Sequence, residues 1–210
     1  MERKGGDQWL HWAREIQALA KTGRHYARNP FEEERAERLL EIAAEMVAAH
    51  SSLTFEQVQL AFEQQPGYVT PKVDVRGAVF KQGKLLMVRE VMDGGWTLPG
   101  GWADVGESPA LAIEREVLEE AGLKVNAVRL VGVYDANRIP GSLDLFHAYK
   151  LIFLCDLHSG EIRTSHETTE GGFFSQDDLP EPLSGFRTTP QHLEDVFRAF
   201  RQQDAPAVFD

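Results

Sequence analysis

The sequence predicts an α/β protein preceded by a small all-α domain. Three observations carry that reading. Residues 8 to about 64 place apolar side chains three and four positions apart, with no strand-like alternation. A join rich in Pro and Gly, residues 65–71, then interrupts the periodicity. Beyond it, strand-like stretches are interspersed with two further helical ones. The expected division is a helical domain over residues 1–66 and an α/β domain over 67–210.

In the first helix Trp9, Trp12, Ala13, Ile16, Leu19 and Ala20 recur at helical spacing, and Gly23 reads as a stop. Asn29 and Pro30 form an N-cap and N1 pair for a second helix carrying Leu39, Leu40, Ile42, Ala43, Met46 and Val47. Thr54 and Gln57 have capping-box spacing for a third, with Val58, Ala61 and Phe62 behind them. Three short helices make a thin core, so this segment is expected to lean on a dimer partner or to help shape a substrate site.

In the second part Val73, Val75, Gly77 and Val79 alternate with Asp74, Arg76 and Ala78, a strand pattern. Residues 81–84 read as a turn and 85–88 as a buried strand. Asp93-Gly94-Gly95 turns the chain into Trp96-Thr97-Leu98-Pro99-Gly100-Gly101-Trp102. Its glycines either bring backbone close to a ligand or metal, or simply make a tight turn. Residues 125–134 and 143–157 are long strand candidates. On the loop between them, Arg138 is either a phosphate partner or a solvated side chain. His147 and Lys150 read as satisfied or snorkelling side chains, and Cys155 as a small core hydrophobe. Glu167 and Glu170 follow a turn at Ser159-Gly160. Such carboxylates are usually solvated, but opposite an acidic helix either can act as a metal ligand or a general base. A closing helix from Pro190 puts Leu193, Val196, Phe197 and Phe200 on one face.

The acidic helix lies between these strands. Ser108 is its N-cap, Pro109 its first residue and Gly122 its left-handed end. Ala110, Leu111, Ile113, Val117, Leu118 and Ala121 should form its apolar arc, with Glu116, Glu119 and Glu120 together on the opposite side. Glu114 falls inside the arc, and the periodicity does not account for it. Three carboxylates that close repel one another, and a hard divalent cation such as Mg²⁺, which seeks oxygen ligands, would relieve the repulsion.

Composition bounds the function. With 42% hydrophobic and 26% charged residues, the 210-residue chain is ordinary for a soluble globular protein. A net charge of −11 argues against nonspecific binding to nucleic acid or anionic membrane. The helical segment does not offer a basic DNA-reading surface either, since residues 1–70 hold eight Lys/Arg against eleven Asp/Glu. One cysteine, no apolar run after the N-terminal charges and no long apolar stretch suggest a cytoplasmic protein with no signal peptide or membrane span.

The stretch from Gly101 to Leu123 resembles the signature of the Nudix hydrolases, G-x5-E-x7-R-E-U-x-E-E-x-G-U, where U is a bulky aliphatic. Gly101, Glu107, Arg115, Glu116, Val117, Glu119, Glu120, Gly122 and Leu123 fill all nine defined positions. The resemblance covers about residues 72–203 and implies an α/β/α sandwich around a mixed sheet. The whole chain is similar to bacterial members with a helical N-terminal domain, described as CDP-choline or ADP-ribose pyrophosphatases. By position, the resemblance implies Glu116, Glu119 and Glu120 as ligands of Mg²⁺ or Mn²⁺, with Glu107 and the Gly100 carbonyl in support. Arg115 would orient a box glutamate, and Glu119, Glu120, Glu167 or Glu170 would serve the proton transfer. Trp96, Trp102, Arg138 and Tyr149 are the candidates for substrate binding. The implied reaction is in-line attack of water on the pyrophosphate of a nucleoside diphosphate linked to X, giving a nucleoside monophosphate and X-phosphate. A homodimer acting on a small nucleotide is expected. The alternatives are an RNA 5′-end pyrophosphohydrolase and a non-catalytic sensor of ADP-ribose.

Overall fold

The structure is a computed structural model that describes residues 8–65, 67–138 and 145–210. Its described residues form two compact units, one running to Pro71 with residues 145–147 added, the other holding the rest.

The first unit contains α1 (Gln8–His25), α2 (Pro30–His50) and α3 (Phe55–Glu63). The Asn29 side chain accepts from the Glu32 N–H at 3.0 Å to start α2. Thr54 and Gln57 close the capping box of α3. Gly23 does not stop α1, which runs two residues further; one glycine costs only about 1 kcal/mol there. Leu10, Ala13, Ala20, Leu40, Ala43, Ala44, Val47, Val58 and Phe62 form a shared core, with Leu145 packed against it. Arg24 grips Glu63 of α3 through two 3.0 Å bonds. Trp12 and Leu19, expected on the buried face, are instead 52% and 66% exposed. Among the described residues no helix is long and apolar enough to cross a membrane.

The second unit is a mixed sheet covered on both faces. Its strands are β1 (Lys72–Lys81), β2 (Lys84–Glu90), β3 (Trp96–Thr97), β4 (Leu123–Asp135), β5 (Ala148–Gly160), β6 (Thr168–Phe174) and β7 (Val208–Phe209). The order is β3-β2-β1-β5-β4-β7, with β6 on β2. β1 runs parallel to β5 and β4 to β7; the other pairs are antiparallel. Of the strand expected over residues 143–157, residues 143–144 lie outside the described residues and 145–147 belong to the helical unit, so β5 begins at Ala148.

Alternation along the strands sorts the core into two layers. Val75, Val79, Leu86 and Val88 pack with Ile113, Val117 and Ala121 of α4 (Pro109–Ala121). Ala78, Leu85, Met87 and Ile152 pack with Leu193, Val196 and Phe197 of α5 (Pro190–Arg201). The central strand therefore lies between the two helices. Cys155 is buried in the α4 layer, as a small core hydrophobe should be.

Candidate active site

The glycine-rich loop is laced onto β1. The Val75 N–H donates to the Gly101 carbonyl at 2.8 Å, and Gly77 N–H to Pro99 at 2.9 Å. Gly100 has φ +144°, and a Cβ there would stand 2.0 Å from the Val75 carbonyl oxygen, so only glycine fits. Its N–H donates to Glu120 at 2.8 Å. A Cβ on Gly101 would meet both Glu116 carboxylate oxygens at 3.0 Å. The two glycines thus bring backbone directly against two carboxylates of α4.

The helix itself is defined by local chemistry. Ser108 caps it by accepting from the Leu111 N–H at 3.3 Å, Pro109 occupies N1, and Gly122 ends it at φ 71°. The expected apolar arc needs correction. Leu111 and Leu118 are exposed, whereas Glu116 and Glu120 are buried beside Ile113 and Val117. The loop over α4 supplies polar partners where the periodicity counts a charge as solvent-facing. Glu114, left without a role by the sequence, accepts from the Ala127 N–H at 3.0 Å, where the β4 ladder is irregular.

Arg115 is the hub of the cluster. Its guanidinium contacts Glu107 at 3.0 Å, Glu116 at 2.9 Å and Glu119 at 3.0 Å. A further bond, at 3.4 Å, goes to the Trp102 carbonyl. One planar cation with five donors thereby holds three acidic side chains and the loop together. Bonding to Arg115 lowers the pKa of Glu107. Burial raises that of Glu116, against the pull of Arg115. Glu120 goes furthest. Burial lifts it to about 7, opposed by the Arg76 charge and the Gly100 N–H and reinforced by Glu90 and Glu116.

Sequence reasoning gave no site role to a second group of buried charges, although it read Lys150 as satisfied, which its bond to Asp74 bears out. Arg76, 4% exposed, grips Asp74 at 2.8 and 3.1 Å and donates to the Leu98 carbonyl at 3.3 Å. Lys150 reaches the same Asp74 at 3.2 Å; burial lowers its pKa to about 8, with Asp74 resisting. Glu90, at the end of β2, pairs with Arg187 from the loop before α5. The only cue to these in the sequence is a run of charges inside apolar strand patterns, Asp74, Arg76, Glu90 and Lys150.

The remaining candidates lie elsewhere. Trp96 is a correction: it is buried edge-on against Phe174 at 5.1 Å, part of the α5 layer, and cannot stack on a substrate. Trp102 is 45% exposed beside the box, with the Lys72 ammonium 5.9 Å from its ring. Tyr149 is exposed on β5, and Arg138 lies near Asp135 at 3.7 Å and Asp210 at 3.9 Å. Glu167 pairs with His166 at 3.2 Å and Glu170 with Arg89 at 2.6 Å, and among the described residues neither side chain bonds to the box.

The donor set fits a hard divalent cation, since it offers carboxylate and carbonyl oxygens around a glycine cradle that a Cβ would fill. Among the described residues, no three His, Cys, Asp or Glu side chains are grouped as a ready-made metal cage. Glu116 and Glu119 turn instead to Arg115.

Comparison with known proteins is consistent along the chain. A family model described as the NUDIX domain matches residues 70–194. Another, described as a UDP-X-like N-terminal oligomerisation domain, matches residues 7–62. The Bacillus subtilis protein named "Putative ADP-ribose pyrophosphatase YjhB" is 37% identical over 203 residues, 97% of each chain. A crystal structure of an ADP-ribose pyrophosphatase from Streptococcus suis is 41% identical, with TM-score 0.61 over 67% of this chain and 100% of that one. A crystal structure of a UDP-X diphosphatase is 31% identical, with TM-score 0.62 over 97% of this chain and 98% of that one.

Proposed function

This chain belongs to the Nudix hydrolases, and from that premise we propose that it cleaves the pyrophosphate of a nucleoside diphosphate linked to a sugar-like group X. The observation that carries the proposal is the bonded cluster of Glu107, Arg115, Glu116 and Glu119, with Glu120 held by the loop. ADP-ribose is the first substrate, because the relatives from B. subtilis and S. suis carry that name. A UDP-linked substrate is the second reading, favoured by the UDP-X-like N-terminal match and by the similar UDP-X diphosphatase. CDP-choline belongs in the same panel as a test of the base.

Glu116, Glu119 and Glu120, with Glu107 and the Gly100 carbonyl nearby, would hold Mg²⁺ or Mn²⁺. Held by these oxygens, a divalent cation would supply charge neutralisation for the pyrophosphate and a lowered pKa for the attacking water. Arg115 keeps Glu107, Glu116 and Glu119 in fixed orientation. Glu119 or Glu120 would accept the proton from the attacking water. Trp102 offers an exposed ring beside the box on which a base can stack. We place the enzyme in a reducing cytosol, which suits a sequence with one cysteine, Cys155, buried in the α4 layer.

Product analysis with Mg²⁺ or Mn²⁺ tests the reading. AMP with ribose 5-phosphate, or UMP with a sugar phosphate, is the expected outcome. ADP-ribose bound without cleavage would favour the sensor. Cleavage only of triphosphorylated RNA ends would favour the RNA reading.

A further inference from the structure

Glu90 closes β2 and lies outside every position of the Nudix signature. Its side chain is 3% exposed, and its two oxygens differ. Oε2 meets the Arg187 guanidinium, while Oε1 is buried with no hydrogen-bond partner among the described residues. A buried carboxylate oxygen without a donor is costly, so a fold that keeps one has a use for it.

The placement of Glu90 indicates that use. Its ladder partner on β6 is Thr168, whose hydroxyl donates to the Glu120 carbonyl at 2.8 Å. The Glu90 backbone is fixed by the adjoining turn, its N–H donating to Gly95 at 2.9 Å and its carbonyl accepting from Gly94 at 3.1 Å. Glu120 and Arg76 both feel the Glu90 charge. Two buried carboxylates whose charges act on each other repel. A water could satisfy Oε1 but would leave that repulsion; a divalent cation removes both costs.

We propose that Glu90 is a cation ligand, presenting Oε1 from β2 to the divalent ion that Glu116 and Glu120 hold from α4. The inference rests on the acidic box being the cation site. Arg187 then acts as a competitor, because its guanidinium already neutralises part of the charge that the ion would use.

The test is Mn²⁺ binding to the full-length protein without nucleotide, followed by calorimetry or by the electron paramagnetic resonance of free Mn²⁺. Glu90→Gln should weaken binding about tenfold or more, at least as much as loss of a group that only orients a ligand. Arg187→Gln should have the opposite sign and tighten it severalfold. Melting curves without metal identify any variant that fails to fold; if Glu90→Gln is one, the sign of the Arg187→Gln effect decides. Wild-type affinity in folded Glu90→Gln, with Glu120→Gln weakened, would overturn the inference and leave the box as the cation site. Weakening by Arg187→Gln would show the pair to be structural and would also overturn it. Wild-type affinity in both glutamate variants would remove the box itself as the cation site.

Discussion

At the residue scale the site depends on one arginine and one buried glutamate. Arg115→Lys keeps the charge but loses the planar fork that reaches three carboxylates. Turnover should fall about tenfold or more, and steady-state kinetics on the folded variant checks it. Glu120 makes a thermodynamic prediction of its own. Its folded pKa, about 7, lies above the ordinary glutamate value of 4.5, so the native state favours its protonated form. That contribution is fully present below about pH 4.5 and is lost as pH rises through 7. At about 1.4 kcal/mol per unit, it amounts to roughly 3 kcal/mol. Without divalent metal, wild-type stability relative to Glu120→Gln should therefore decline between pH 5 and pH 8. Parallel pH profiles in chemical denaturation would contradict it. The spacing of the box was legible from residue types alone. The burial of Glu116 and Glu120 was not, because periodicity assigns charges to solvent and the loop covering them is set by distant strands. Trp96 and Trp102 make the same point: six positions apart, one in β3 is core and the other in the loop after it is surface.

At the element scale the chain announces its own boundaries. Asn29, Thr54 and Ser108 all cap helices in the positions that their side chains suggested. Gly122 ends α4 in the left-handed region, as expected. Gly23 failed as a stop because the helix continues on packing and on the Arg24 contacts to Glu63. The loop that matters most is specified by sterics. Gly100→Ala would place a methyl 2.0 Å from the Val75 carbonyl, forcing the loop off β1 and breaking the bond to Glu120. A loss of at least about 2 kcal/mol in denaturant midpoint analysis is expected, with activity lost in the folded fraction. What could not be read was the pairing of Glu90 with Arg187, 97 positions apart in the numbering, which needs the sheet order to bring β2 beside the loop before α5.

At the scale of the whole molecule, a helical unit precedes a two-faced sheet that holds the candidate chemistry. Trp12 and Leu19 are large apolar side chains left in solvent by α1. With the match to an oligomerisation domain over residues 7–62, we propose these two side chains as part of the contact surface of the homodimer that the sequence leads one to expect. Trp12→Asp with Leu19→Asp should convert the dimer to a monomer in sedimentation while leaving the sheet domain folded. An unchanged dimer would move the interface elsewhere. The central claim is that the acidic box performs metal-dependent hydrolysis. It is tested most directly by turnover of Glu119→Gln and Glu120→Gln at saturating Mg²⁺ or Mn²⁺, on the substrate that the wild type cleaves best. Turnover should fall by about two to four orders of magnitude, with melting temperatures no lower than the wild type's. Near-wild-type turnover in both variants would contradict it.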